Sequence, residues 1–117
     1  MPPPPDDYIF REDAGVTIVR LETQSLLGIL DVNRVGGELT ALVAGGVNKL
    51  VVDLKHVKYA GSAALGMLLA LSSEVQSRGG KLVLCGTQHL DPLLKVTRAR
   101  GMFEIAEDRH AAMKLFE

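Results

Sequence analysis

The hydroxyl of Ser62 is the side-chain group best placed for chemistry in this sequence. It lies in the stretch KYAGSAALGML, Lys58 to Leu68, which follows the apolar run LVVDL and opens an apolar helical pattern. At a helix N-terminus a serine oxygen can accept a hydrogen bond from an unpaired backbone N–H, as an N-cap. The same N–H groups and the helix dipole favour the added charge of a phosphate. The residues alone leave both interpretations open, a structural cap and a phosphorylation site.

The glycines on either side of this serine do not form a nucleotide-binding loop. Gly61 and Gly66 have the spacing of the two glycines in a phosphate-binding loop, but that loop continues with Lys and then Ser or Thr. Here Met67 and Leu68 follow instead. In addition, no serine of the chain lies in a GxSxG elbow, so hydrolysis by a serine nucleophile has no support.

Histidine, cysteine and carboxylate side chains are too scattered to suggest a catalytic or metal site. His56, His89 and His110 have no second ligand at a spacing that places both on one helix face. We therefore predict no metal site, no cofactor and no catalytic residues, and a protein that is not an enzyme. The lone Cys85, at the end of the apolar run KLVLC, is expected to be a small core side chain and not a reactive thiol.

Strand and helix patterns alternate along the chain and must position Ser62. Two continuous apolar runs, LVVDL and KLVLCG, are typical of strands buried on both faces, and we expect them to be parallel neighbours joined by the helix that follows Ser62. The other predicted elements are a hairpin of Tyr8 to Arg11 with Val16 to Leu21, a first helix from Asn33 to about Ala44, a helix capped by Asp91 and ending at Gly101, a strand from Phe103 to Ala106, and a last helix from Asp108 to about Leu115. This order predicts an α/β fold with a small mixed, largely parallel β-sheet and helices packed on it.

Length, composition and charge narrow the class of protein. The chain has 117 residues, 47% of them hydrophobic, which predicts a single domain over residues 8–117. The proline tract at its start predicts a flexible N-terminus over residues 1–7. A net charge of −1, from 13 basic and 14 acidic side chains, argues against nucleic-acid binding. The start MPPPPDD has no signal-peptide pattern, and no apolar run approaches the roughly 20 residues of a membrane span. We expect a cytoplasmic protein that does not insert into a membrane.

The segment KLVVDLKHVKYAGSAALGMLLALSSEVQSRGGKLVLCG resembles the core of the STAS domain, the family of anti-sigma factor antagonists. The resemblance runs from roughly Tyr8 to Phe116. In order along the chain, the matching motifs are Asp53-Leu54, Ser62, Leu65-Gly66, Gly79-Gly80-Lys81 and Leu82 to Cys85. The fold that this resemblance implies is the small mixed sheet with packed helices that the periodicity predicts.

The resemblance implies a protein that switches between partners. In such proteins the unmodified antagonist binds an anti-sigma factor that is also a serine/threonine kinase, and phosphorylation releases it. The implied phosphorylation site here is Ser62, and the implied partner-binding residues are His56, Lys58, Tyr59, Gly61, Ser62, Ala63, Gly66 and Met67. We expect a monomer or weak dimer. An alternative that the resemblance leaves open is a soluble STAS subunit of a lipid or anion transport system, which would bind a transporter component.

Overall fold

The computed structural model describes residues 8–117, with side chains from residue 14 onward. The elements in chain order are β1 (Tyr8–Asp13), β2 (Val16–Leu21), β3 (Ser25–Leu26), α1 (Ile29–Ala44), β4 (Lys49–Asp53), β5 (Tyr59–Ala60), α2 (Ser62–Ser77), β6 (Lys81–Cys85), α3 (Asp91–Val96), β7 (Glu104–Ala106) and α4 (Arg109–Lys114). Short 3-10 turns occupy Gln88–Leu90 and Ala99–Met102. The predicted flexible segment, residues 1–7, lies outside the described residues.

Five strands form the central sheet, in the spatial order β1-β2-β4-β6-β7. β1 pairs with β2 in antiparallel orientation, and every other neighbouring pair of this sheet is parallel. At the hairpin turn Ala14 and Gly15 both have positive φ, 53° and 80°, as in the tight turns that suit twisted strands. The predicted hairpin, the parallel pairing of β4 with β6 and the α/β fold class are all confirmed.

Helices cover both faces of the central strands, which explains their continuous apolar runs. Leu50 and Val52 of β4 belong to the larger hydrophobic core, which also contains the buried faces of α1 and α2. Val51 points the other way, into a smaller core that includes Ala112 of α4. Since successive side chains of a strand alternate between faces, a strand covered on both sides needs apolar residues at every position. Cys85 is fully buried in the smaller core, as predicted.

The first helix begins earlier than the sequence pattern predicts. α1 starts at Ile29, with the extended residue Gly28 as its N-cap, and not at Asn33. The predicted end at Ala44 is confirmed. The start was missed because Ile29 and Leu30 are 60% and 80% exposed, so these apolar side chains lie outside the buried stripe that defines helical periodicity.

The predicted helix from Asp91 to Gly101 is interrupted, and its predicted cap is wrong. α3 ends at Val96, and Arg98 then adopts a left-handed conformation with φ 57° before the second 3-10 turn. Leu90 occupies the N-cap position and Asp91 is the first helical residue. The Asp91 carboxylate instead accepts hydrogen bonds from Thr87 Oγ1 at 3.3 Å and from Arg100 Nη1 at 2.8 Å. By contrast, Asp108 caps α4 as predicted, since its Oδ1 accepts a hydrogen bond from the Ala111 N–H at 2.8 Å.

Candidate functional site

The loop between β4 and α2 is held in place by backbone hydrogen bonds. Leu54 N–H donates to the Cys85 carbonyl at 2.9 Å, which ties the start of the loop to β6. At its other end the N–H groups of Lys58 and Tyr59 both donate to the Gln24 carbonyl, at 2.8 and 3.1 Å. The completely buried Val57 anchors the middle. The chain therefore enters α2 from a fixed direction.

A second, two-stranded sheet completes this support. β3 and β5 pair in parallel, with Ser25 opposite Tyr59 and Leu26 opposite Ala60. The sequence analysis did not predict either strand, because two residues are too few to show a periodic pattern. Their pairing brings the segment before α1 next to the segment before α2. The N-termini of the two helices therefore lie side by side.

Ser62 is the first residue of α2 and not its cap. The N-cap position belongs to Gly61, which is extended (φ −123°, ψ −169°) and whose carbonyl accepts the hydrogen bond from Leu65 N–H at 3.2 Å. The Ser62 side chain is exposed, and its hydroxyl forms no hydrogen bond with any other described residue. Of the two interpretations that the sequence left open, the structural cap is contradicted, because the N-cap residue is Gly61 and Ser62 is already helical. The hydroxyl remains open to modification.

The predicted partner-binding residues divide between two concave surfaces. His56 and Lys58 line a cleft of about 570 Å³ at the carboxyl ends of the parallel strands. Ala63 and Met67 line a groove of about 600 Å³ between α1 and α2. Of the other predicted residues, Tyr59, Gly61 and Ser62 lie in sequence between the two sets of lining residues, and Gly66 lies between Ala63 and Met67. All four are exposed, apart from the half-buried Gly61. The structure thus keeps the predicted set on one stretch of chain, with its ends facing different hollows.

An exposed apolar segment beside Ser62 was missed by the sequence analysis. Leu27, Ile29 and Leu30 are 58%, 60% and 80% exposed; we call these three residues the apolar elbow, since the chain turns there from β3 into α1. A Cβ built on Gly61 would lie 3.7 Å from Leu27 Cδ2, so the elbow reaches the start of α2. The sequence feature that could have revealed this segment is the run LLGIL, Leu26 to Leu30. It contains more apolar residues than the buried stripe of the helix requires.

Asp53 dominates the cleft at the strand ends. It is only 4% exposed, its Oδ1 accepts a hydrogen bond from the Lys55 backbone N–H at 3.0 Å, and its Oδ2 lies 3.5 Å from Arg109 Nε. A buried carboxylate with a cation and a backbone donor has its charge compensated. This pairing explains Asp53 as a structural residue that holds the start of the loop.

The other chemically active groups near the cleft include the buried thiol of Cys85. Burial, and after it the negative charge of Asp53, raises the pKa of the Cys85 thiol from 9.0 to about 12. A nucleophilic cysteine requires the opposite shift. Among the residues described, no group of three or more His, Cys, Asp or Glu side chains is arranged to hold a metal ion.

Comparison with known proteins identifies the family. The model of the STAS domain matches residues 9–112. The chain belongs to the STAS domain family. A candidate anti-sigma factor antagonist of Bordetella bronchiseptica, BtrV, is 27% identical over 95 residues, which are 80% of this chain and 82% of BtrV. These findings confirm the resemblance to anti-sigma factor antagonists.

Solved structures of STAS proteins share this fold. An anti-sigma-factor antagonist domain protein from Planctomyces limnophilus superimposes with a TM-score of 0.81 at 19% identity, covering 95% of this chain and 98% of that one. SpoIIAA, a Bacillus cell fate determinant solved in its phosphorylated form, gives a TM-score of 0.67 at 14% identity, with 92% and 98% covered. Over residues 8–117, no helix of this STAS domain is long and apolar enough to span a bilayer.

Proposed function

We propose that this STAS domain is an anti-sigma factor antagonist that binds an anti-sigma factor with serine/threonine kinase activity and is released when Ser62 is phosphorylated. One observation carries the proposal: an exposed serine hydroxyl, without a hydrogen bond to another described residue, lies at the start of α2 beside exposed apolar side chains. Family membership supports it. So does the structural likeness to SpoIIAA, which has been solved in a phosphorylated form.

The position of Ser62 suits both steps of the proposed switch. In the kinase step, Ser62 Oγ forms a bond to the γ-phosphorus of ATP, the bond to the bridging oxygen of ADP breaks, and the serine proton passes to a base of the kinase. The exposed hydroxyl can enter a kinase site without unfolding of α2. In the folded product, the N–H groups of the first helical turn and the helix dipole stabilise the phosphate.

Release follows from the change of charge among uncharged neighbours in the sequence. The residues flanking the serine, Gly61, Ala63, Gly66 and Met67, carry no charge. Phosphorylation adds a charge of about −1.5 to −2 among them. An interface formed with the unmodified surface then has to desolvate this anion without a partner cation matched to it. The free energy of binding becomes less favourable while the domain stays folded.

The proposal requires binding and no catalysis by this chain. Asp53 accepts a hydrogen bond from the Lys55 N–H and pairs with Arg109, and Cys85 keeps its proton at neutral pH, so the proposal gives neither residue a catalytic role. We expect purified protein to release no phosphate from ATP and to bind no nucleic acid. Because an ATP-dependent kinase and a sigma factor both work in the cytoplasm, the proposal assigns the protein to that compartment.

Two substitutions of Ser62 test the proposal. Ser62→Ala should bind the anti-sigma factor as wild type does, but ATP should no longer release it. Ser62→Asp should weaken binding, while the free energy of unfolding stays unchanged within about 0.5 kcal/mol or rises, since an acidic residue in the first turn is favoured by the helix dipole. Binding is measured by calorimetric titration, folding by urea denaturation, and phosphate incorporation by intact mass and peptide mapping.

Ser73→Asp is the matched control, because Ser73 is an exposed serine further along the same helix. It should leave binding intact. The proposal is wrong if Ser73→Asp weakens binding as much as Ser62→Asp, or if the kinase and ATP place no phosphate on Ser62. The transport alternative predicts instead that the protein binds a transporter component, with no effect of Ser62→Asp on that binding.

A further inference from the structure

We propose that the docking surface extends well beyond Ser62, across the apolar elbow and into the groove between α1 and α2, and that it receives an uncharged apolar segment of the anti-sigma factor. This inference rests on the proposed function and adds the residues and the chemistry of the contact. It assigns a binding role to Leu27, Ile29 and Leu30, which are not among the residues that the STAS resemblance implies.

The exposure of the elbow needs an explanation. Three large aliphatic side chains within four residues are more than half exposed. A single exposed leucine is common on protein surfaces, whereas a contiguous apolar patch usually marks a contact site. Tyr59, 57% exposed on the neighbouring β5, belongs to the same region through the pairing of β3 with β5.

The groove continues the elbow along the helices. Ile29 belongs to both, and the opposite wall is formed by Ala63 and Met67 of α2. Met67 packs directly over Gly36 of α1, where a Cβ would lie 2.7 Å from Met67 Cγ, so the absence of a side chain at Gly36 makes room for Met67 between the two helices. A volume of about 600 Å³ can accommodate several side chains. Met67 can adjust to their shape, because an unbranched thioether side chain has many rotamers.

The charges around the groove favour an uncharged occupant. Glu74 at its far end lies 2.9 Å from Arg78 Nε, and Asp31 near its entrance lies 3.2 Å from Arg34 Nη2. Charges compensated in this way attract neither an acidic nor a basic segment strongly. An apolar segment, for example one face of a helix, can bind without desolvating these charged groups, and it buries the aliphatic side chains of the elbow.

The position of Ser62 selects the anti-sigma factor over a second copy of this chain as the occupant. Ser62 directly precedes Ala63 of the groove wall, and Leu27 Cδ2 of the elbow lies 3.7 Å from where a Cβ of the preceding residue, Gly61, would be. A dimer closed over this region would cover the hydroxyl that the kinase has to reach. A kinase that reaches Ser62 necessarily faces the elbow and the groove entrance. A phosphate on Ser62 then lies at the edge of the segment it has to displace.

The test measures the binding of purified anti-sigma factor kinases from the source organism to wild type, Leu30→Ser, Ala70→Arg and Ser62→Asp. Leu30 is the most exposed elbow residue, and Ala70 lines the groove on α2. Leu30→Ser and Ala70→Arg should each weaken binding by roughly tenfold or more, as for central interface residues. The matched controls are Val96→Ser, since Val96 is 82% exposed on α3, and Ala41→Arg, since Ala41 is exposed on α1 outside the groove. Both controls should stay within about twofold of wild type.

The outcomes separate this inference from the proposed function. If Ser62→Asp weakens binding while Leu30→Ser and Ala70→Arg bind like wild type, the inference is wrong and the proposed function stands. If wild type neither binds the kinase nor becomes phosphorylated, both are wrong. If Leu30→Ser abolishes self-association in sedimentation velocity without changing kinase binding, a second copy occupies the groove and the inference is overturned.

Discussion

Gly86→Ala should strongly destabilise the domain, because a conformational cost and a steric cost combine at this position. Gly86 has a φ of +65°, a left-handed conformation that costs an L-residue about 1–2 kcal/mol. A Cβ at this position would also lie 2.8 Å from both Asp53 Oδ1 and the Lys55 backbone nitrogen. These two atoms form the hydrogen bond at the start of the loop that leads to α2. Overpacking against a buried carboxylate and a backbone costs about 1–3 kcal/mol more. The expected loss in the free energy of unfolding is therefore about 2–5 kcal/mol.

Gly79→Ala separates the two contributions. Gly79 has a similar φ of +78°, but no atom lies within 4 Å of a Cβ built there. It should cost only the conformational part, about 1–2 kcal/mol. Urea denaturation followed by far-ultraviolet circular dichroism measures both variants. Equal losses for Gly86→Ala and Gly79→Ala would refute the close approach of Asp53 and Lys55 to Gly86, and with it the account of how the loop is held.

Two further predictions concern Cys85 and the helix caps. Because the Cys85 pKa is raised from 9.0 to about 12, the folded thiol should resist iodoacetamide at pH 8 and react only after unfolding. Above about pH 9 the thiol ionises in the unfolded chain but stays protonated in the folded one. The free energy of unfolding of wild type should therefore fall relative to that of Cys85→Ala by up to about 1.4 kcal/mol per pH unit until about pH 12. Parallel curves of unfolding free energy against pH for the two proteins would contradict this. Asp108→Ala removes a capping hydrogen bond and should lower the free energy of unfolding by ~1 kcal/mol. Ser62→Ala removes no such bond, so its urea denaturation curve should be nearly that of wild type. Equal losses for the two variants would mean that Ser62 caps α2.

Local patterns were sufficient to predict β4, α2 and β6, the strand–helix–strand unit that carries Ser62. The runs that became β4 and β6 are aliphatic at consecutive positions, and the helix between them has a clear apolar stripe ended by glycines. Such patterns depend on side chains a few residues apart, because burial on both faces of a strand or one face of a helix repeats with the period of that element. The α/β class follows from their order.

Interactions between distant segments decided what the patterns missed. β3 and β5 each have two residues and form only because they pair with each other across more than thirty positions of sequence. The break after α3 depends on Arg98 adopting a left-handed conformation, for which its residue type gives no signal. The early start of α1 depends on exposed residues that a search for buried stripes ignores.

The sequence by itself singled out Ser62 as the candidate residue, because it follows a buried strand and precedes an apolar helical pattern, and motif order added the STAS family. Only the tertiary structure decided what surrounds that serine. Whether its hydroxyl caps α2 depends on the exact residue at which the helix begins, and the structure gives that position to Gly61. Its apolar neighbour Leu27 arrives through the pairing of β3 with β5. A local pattern carries no information about such contacts, because they are made by segments that meet only when the whole sheet has formed.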